Sequence, residues 1–344
     1  MKVLTGMSGG VDSAVAAARL LNSGYDVTGV TLSLCSSAVS EAAAAASVCK
    51  GLNIEHKTID LSEDFNNFVV SDFISEYEKG RTPNPCIVCN KNIKFGKMLE
   101  FAREGGFDKI ATGHYAVIKK SGDRYLLERA ADKSKDQTYV LYCLSQEQLA
   151  RSLFPLGELT KPEVREIAKE LGFVNADKAD SQDICFVPDG DYAGFITSHT
   201  GKTYPEGDYV DICGNVLGRH KGIINYTIGQ RKGLGIALGK PQFVISKDAE
   251  SGRVILGDEE HLFYNRVEVE NVNFIPFDNL TSPLKVTAKL RYGTREDEAI
   301  IHPTEKGVLI EFEKPQRAPS SGQSAVFYDG NTVIGGGKIV GGIK

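Results

Sequence analysis

The sequence predicts an α/β protein: a parallel-sheet domain with helices on both faces, then a small β-rich connector and a C-terminal β-barrel. Strand-like and helix-like stretches alternate through the first part of the chain, which is the pattern of a parallel sheet. After about residue 200 the helix signals stop, and short alternating strands with glycine-containing turns take over. The 344 residues, 41% hydrophobic and 25% charged, suit a soluble globular chain of two or three domains. We expect domains at residues 1–200, 201–265 and 266–344.

"KVLTG" reads as the first strand, and residues 12–23, rich in Ala and Leu, as the first helix. "YDVTGVTLSL" and "SEAAAAASVCKGL" repeat the pair. So do "IEHKTIDL" and "EDFNNFVVSDFISEYEKG", the latter with apolar spacing of three and four. The alanine run 42–46 is a good helix former that can pack close to the sheet. "TPNPCIVC" reads as a proline-stiffened loop, with a helix beginning near Asn92 in "NIKFGKMLEFAREGG" and a strand in "DKIATGHYA". "VIKKSGDRYLLERA" looks like a hairpin around residues 121–123. Thr160 and Glu163, spaced as a capping box, start a helix that Gly172 ends, and a short helix signal follows near Tyr192.

"DYVDICGNVLGRHKG" and "QFVISKDAESGRVILGD" read as connector hairpins. In "LKVTAKLRY", Val286, Ala288, Leu290 and Tyr292 should face one way, and Lys285, Lys289 and Arg291 the other. "AVFYDGNTVIGGG" places an Asp-Gly turn between apolar strands, so an all-β barrel is expected from about residue 265. No internal repeat is visible.

No apolar run reaches the roughly 18 residues a membrane helix needs. The start "MKVLTGMSGG" lacks the charged, apolar and small-residue segments of a signal peptide, so a cytoplasmic protein is expected. Seven cysteines, an odd number, argue against a fully paired disulfide framework. A net charge of −5 leaves nucleic-acid binding to local patches.

"GMSGGVDSA" lies between the first strand and the first helix. Gly9 and Gly10 allow unusual φ and close approach of a ligand, and successive N–H groups at a helix start make an anion nest. Ser8 and Ser13 can add hydroxyls, and Asp12 can hold Mg²⁺ or a ribose. Neither a Walker lysine nor a dinucleotide G-x-G-x-x-G is present. Cys86 and Cys89 form a C-x-x-C with no second pair nearby to complete a four-thiolate zinc site. A redox pair of the thioredoxin kind would open a helix directly after a strand. This pair instead follows Pro83 and Pro85 in a long loop, which favours a reactive thiol over a structural zinc site. Cys185, between Ile and Phe in a polar loop, reads on its own as inert packing before any role in chemistry.

"SGGVDS" resembles the signature of the ATP pyrophosphatase (PP-loop) family, whose adenine nucleotide alpha hydrolase-like fold grips the pyrophosphate of ATP. With "GRTPNPCIVCNKNIKFG", "ATGHYA", "KDQTYVL", "DSQDICF", "YTIGQRKGLG", "LRYG" and "GQSAVFYDG", the chain resembles the tRNA-specific 2-thiouridylases over nearly its whole length. The resemblance implies an ATP-dependent tRNA sulfurtransferase. It would adenylate the C2 oxygen of the wobble uridine and then displace AMP with a persulfide sulfur. That sulfur would come from a donor protein, either a sulfur-relay protein or a cysteine desulfurase.

By the same resemblance Gly6, Met7, Ser8, Gly9, Gly10, Val11, Asp12 and Ser13 hold ATP with Mg²⁺, and Leu32 and Gly113 line the adenosine pocket. Cys89 matches the nucleophile and Cys185 the persulfide carrier. Asn84, Pro85 and Cys86 match the segment touching the target base. His114, Lys135, Asp136, Gln137, Arg291, Tyr292 and Gln323 match tRNA contacts. Some members carry Asp where this chain has Cys86, so Cys86 is not the invariant nucleophile and an acid–base role for that Asp does not transfer.

A tuned thiolate is nucleophilic enough for this chemistry near neutral pH. Lys91, Lys94 and a helix start at Asn92 are expected to lower the pKa of Cys89. After transfer, Cys89 and Cys185 could close a disulfide that an external reductant reopens. Arg219, His220, Lys221, Arg231 and Lys232, with the outward face of "LKVTAKLRY", are candidate phosphate contacts. His56, His199, His261 and His302 receive no role, and Cys35, Cys49, Cys143 and Cys213 are expected to pack. Two alternatives stay open. One is an amide-forming PP-loop ligase, which leaves Cys89, Cys185 and the barrel idle. The other is an RNA module whose Cys86, Cys89 and Cys185 hold zinc or an iron–sulfur cluster.

Overall fold

The computed structural model describes residues 1–35, 38–173 and 184–344. Its first domain is built on a five-stranded sheet in the order His56–Asp60, Asp26–Ser33, Lys2–Gly6, Lys109–Ala111 and Ser152–Leu153. All four pairings are parallel. Later strands flank Lys2–Gly6 on both sides, so strand order reverses there and a crevice opens at the carboxyl ends. The "SGGVDS" turn occupies that crevice. Val3 and Leu4 are fully buried, and the helix Val11–Asn22 turns its alanines onto the sheet.

The alanine-rich helix Ala38–Gly51 packs as expected, with Ala45 and Cys49 fully buried. The approach is so close that a Cβ on Gly29 would lie 2.5 Å from the Cys49 sulfur. The strand Ser152–Leu153 escaped sequence reading because two residues carry no periodicity.

The cysteine segment corrects an expectation. Cys86 and Cys89 lie within a helix, Pro85–Cys89, and not in a loop preceding one. Asn84 caps it, its Oδ1 accepting from the Cys86 N–H at 3.1 Å, and Pro85 takes the first turn. The helix runs on through an eight-residue π segment, Asn90–Lys97, into Met98–Glu104. This C-x-x-C therefore does open a helix, but the element before it is the helix Ser71–Glu78 and not a strand.

The connector is a four-stranded sheet of Gly207–Val210, Val216–His220, Phe243–Asp248 and Arg253–Gly257. The barrel comprises Phe263–Phe274, Leu284–Lys289, Asp297–Pro303, Gly307–Arg317, Ser324–Asp329 and Thr332–Ile343, closed by pairing of its first and last strands. The predicted hairpin Val117–Ser121 and Arg124–Glu128 forms, but it extends the barrel's sheet, with Glu128 opposite Thr332.

Two basic-patch expectations fail. His220 is 2% exposed, its Nε2 at 2.8 Å from Gly252 O and its Nδ1 accepting from the Gly222 N–H, so it has no free face for a phosphate. The strand predicted through Tyr292 stops at Lys289. Beyond it Arg291 turns inward to the carbonyls of Ile228 and Ala318 and the hydroxyl of Ser320, while Tyr292 is exposed. Cys213, expected to pack, is exposed. The first residues of "DSQDICF", 180–183, lie outside the described residues.

Candidate active site

The nucleotide loop is shaped by its neighbours before any ligand arrives. Gly9 has φ +70°, and a Cβ there would lie 2.8 Å from Ala44 Cβ. Ser13 Oγ donates to Gly10 O at 3.0 Å and accepts from the Ser8 N–H at 3.2 Å, closing the turn. Met7 is held at both ends, its N–H by Val30 O at 2.7 Å and its carbonyl by Thr31 Oγ1 at 2.9 Å. Gly10, the N-cap of the first helix, has no side chain to satisfy the helix's leading N–H groups, which suits an anion. Gly113 comes from the neighbouring strand end and presses on the helix start, where its Cβ would sit 2.9 Å from the Asp12 carbonyl carbon. Leu32 is half-buried at the end of the second strand.

Asp12 is engaged by a residue that sequence reading missed. Lys161 Nζ lies 2.8 Å from both carboxylate oxygens, and Tyr115 OH donates to Oδ1 at 2.8 Å. Lys161 is 6% exposed, so its charge is committed inside the protein. One signal was present in the sequence. A cation in the first turn of a helix, here Lys161–Glu170, opposes the helix dipole and needs another reason to be there.

From Gly113 the site continues to His114. It is 8% exposed, bonded through Nδ1 to Thr112 Oγ1 at 2.8 Å, and packed against the rings of Phe95 and Phe154. Burial, with the nearby Lys94 ammonium, lowers its pKa well below the ordinary value, so the imidazole is neutral. A neutral buried imidazole can meet a base inside the pocket but not a phosphate outside it.

Lys94 links this imidazole to the thiols. Five residues beyond Cys89 an α-helix would turn it away. The wider π turn brings it back toward the Cys89 face. It is half-buried and has no carboxylate partner among the described residues, and its charge acts on His114, Cys89 and Cys185 together.

Cys89 is 7% exposed in an apolar cluster with Phe65, Phe73 and Ile93. Burial raises its pKa, and Lys94 opposes that shift less strongly. The expectation that Lys91, Lys94 and a helix start at Asn92 would depress it is thus overturned: desolvation wins, and the helix already begins at Pro85. Cys185 reaches the same cluster through Phe186, whose ring lies 5.6, 5.3 and 5.2 Å from Phe65, Phe73 and Phe195. Burial of its sulfur, then the neighbouring Cys89 and Cys86, push its pKa up to about 12. The residue as a whole is nevertheless exposed, and that exposure governs what can reach it. Cys86 is exposed beside it, and all are free thiols.

Of the residues matched to tRNA contacts, Tyr292 and Gln323 lie beside the cysteine segment. Tyr292 is 46% exposed, lies 5.9 Å from the Tyr139 ring and feels the Cys86 thiol. Asp136 and Gln137 are committed to the fold. Asp136 accepts from the Ala130 N–H and the Thr138 hydroxyl, and Gln137 Oε1 from the Tyr115 N–H at 2.9 Å. Lys135 is half-buried in the same turn. Gln323 donates to the carbonyls of Thr82 and Pro83, on the approach to the cysteine helix.

Among the described residues no group of three His, Cys, Asp or Glu side chains is arranged to hold a metal ion. No helix is long and apolar enough to cross a membrane.

Comparison with known proteins accords with this arrangement. Residues 1–189 match the family model described as a tRNA methyl transferase HUP domain. Residues 193–258 match a tRNA methyl transferase PRC-barrel domain, and 265–339 an aminomethyltransferase β-barrel domain. The tRNA-specific 2-thiouridylase MnmA of Acetivibrio thermocellus is 49% identical over 98% of this chain and 99% of its own. That of Clostridioides difficile is 49% identical over 98% of both chains, and that of Treponema denticola 46% over 98% of both. With identity at this level along its whole length, the chain belongs to the tRNA-specific 2-thiouridylase family.

Proposed function

We propose that this protein performs the ATP-dependent 2-thiolation of the wobble uridine of tRNA. The observation that carries the reading is the return of the Cys185 segment onto the cluster that buries Cys89, beside a strand-end crevice shaped for a nucleotide. In this reading residues 1–200 do the chemistry, while 201–265 and 266–344 hold the tRNA.

Residues Gly6 to Ser13 grip ATP, with Leu32 and Gly113 along the adenosine. Asp12 is the one carboxylate of the loop, but Lys161 holds both its oxygens and Tyr115 one of them, so Mg²⁺ would come held by the triphosphate's own oxygens, and Asp12 would bind it only by giving up part of that contact. The target uridine leaves its stack and passes Asn84, Pro85 and Cys86, with Tyr292 offering a ring to stack on and His114 a neutral imidazole. The C2 oxygen attacks the α-phosphorus, and pyrophosphate departs into the loop's N–H groups.

A donor protein charges the exposed Cys185 with a persulfide. Its terminal sulfur attacks C2 and AMP leaves with the former oxygen. Cys89 then attacks the Cys185 sulfur, forming a Cys89–Cys185 disulfide and releasing the thiocarbonyl. The two cysteines are oxidised, the transferred sulfur is reduced, and an external thiol resets the pair. Cys86, Cys89 and Cys185 act as thiols here, not as cluster ligands.

The test is direct. Purified protein, unmodified tRNA, ATP and a persulfide source should yield 2-thiouridine by mass spectrometry. Absence of product with every sulfur source, alongside ATP cleavage driven by a carboxylate and ammonia, would establish the amide-forming ligase instead.

Burial keeps the Cys89 thiol neutral at pH 7, so its thiolate rises about tenfold per pH unit below the pKa. Single-turnover sulfur transfer should therefore climb steadily from pH 7 to 9. A plateau near pH 7 would show that bound tRNA or Lys94 already ionises the nucleophile.

A further inference from the structure

The barrel turn at residues 318–323 does more than face the substrate. Gln323 has two amide hydrogens, and its Nε2 lies 2.8 Å from Thr82 O and 3.3 Å from Pro83 O. Both donors therefore point at the strap that enters the cysteine helix. The same turn holds the strap from the other side, with Ser321 O accepting from the Thr82 N–H at 2.8 Å. Gly322 makes the approach possible. Its φ is +90°, and a Cβ there would lie 2.9 Å from Arg81 Cβ and 3.0 Å from Thr82 N.

The turn is itself braced. Ala318 is held at φ +52°, a conformation that surrounding contacts must impose. Its N–H donates to Leu262 O at 2.7 Å, and its carbonyl accepts from Arg291 at 2.9 Å. Charges tie the strap's other end to the barrel. Arg81 lies between Glu76 and Glu270, and Lys338 Nζ is 3.1 Å from the buried Glu76 carboxylate. From Pro83 the strap passes through the Asn84 cap to Cys86 and Cys89 with no slack.

We propose that Gln323 is a positioning residue for the nucleophile, through which the C-terminal barrel sets the placement of the Pro85–Cys89 helix. This deepens the thiolation reading and rests on it. It also separates two roles for one residue. A tRNA contact would alter affinity, whereas a strap clamp alters the rate of sulfur transfer once tRNA is bound.

Gln323→Glu keeps the size but removes both donors and sets a carboxylate against two carbonyls. Gly322→Ala disturbs the same contact from the backbone. In the full-length protein, tRNA affinity, pyrophosphate release and saturating single-turnover thiolation with a persulfide donor are measured for both variants. Alkylation of Cys89 and Cys86 by iodoacetamide is followed by mass spectrometry without tRNA. Affinity and pyrophosphate release should stay within about twofold of wild type, and saturating thiolation should fall about 30- to 100-fold, the cost of an ångström-scale misplacement. Cys89 alkylation should quicken about tenfold while the exposed Cys86 reacts as before; Gln323→Glu should keep the wild-type melting temperature, and Gly322→Ala, strained at φ +90°, should melt lower but stay folded at the assay temperature.

Weakened affinity with an intact saturating rate, or unchanged Cys89 alkylation, would overturn the proposal. If wild type itself made no thiouridine, the thiolation reading would fall. The alkylation contrast would still report whether the barrel positions Cys89.

Discussion

Cys89→Ser and Cys185→Ser should each abolish 2-thiouridine formation, by at least about 10³-fold, while tRNA-dependent pyrophosphate release from ATP continues. A hydroxyl is a far poorer nucleophile than a thiolate near neutral pH and cannot carry a persulfide. Adenylation needs neither sulfur. In the proposed mechanism it uses the loop from Gly6 to Ser13, which Thr31, Val30 and its own serines hold in place. Cys86→Ser should keep measurable thiolation, because Cys86 is solvent-exposed in the helix's first turn while Cys89 is enclosed with the Cys185 segment. Since the C-x-x-C does open a helix, a Cys86–Cys89 redox pair is a live competitor. Equal loss in all three variants would favour it, or a shared metal site, over the Cys89–Cys185 relay.

Lys161→Met should suppress adenylation by about 10²–10³-fold, the usual cost of losing a preorganised charge at a phosphoryl-transfer site. Lys161 holds both oxygens of Asp12 from a buried position, so its loss leaves the Asp12 carboxylate with the Tyr115 hydroxyl but without that cation. ATP–pyrophosphate exchange in the presence of tRNA reads the step directly. Tyr115→Phe, removing a neutral donor, should cost far less. Equal effects from the two variants would mean that Lys161 acts by supporting the fold and not by its charge.

Lys161 shows where sequence reading reached its limit. The capping box at Thr160 and Glu163 was legible because its signal is local, and Glu163 does accept from the Thr160 N–H at 2.7 Å. The destination of the lysine inside that first turn depends on a contact 149 residues away. The strands and helices of the parallel sheet were readable from period and length. The two-residue strand Ser152–Leu153 had neither.

At Asn84-Pro85 the signal was present and misread. A capping residue followed by proline in the first turn is a helix start, and treating the prolines as loop stiffeners moved the helix past both cysteines. The π turn that brings Lys94 toward Cys89 has no local signature at all. Burial was equally hidden. Nothing in "GRHKG" or "LRYG" says that His220 bonds Gly252 or that Arg291 turns inward.

The hairpin Val117–Ser121 and Arg124–Glu128 has a consequence for how the molecule is made. Its partner strand, Thr332–Ile343, is the last of the barrel, and Arg129 Nε reaches Gly330 O across 201 residues. During synthesis on the ribosome the early sheet and this hairpin can form as soon as they emerge, but Glu128 meets Thr332 only after the final barrel strand is released. Joining the hairpin to the barrel is therefore a late event in assembly, separated from the hairpin's own closure by most of the chain's translation.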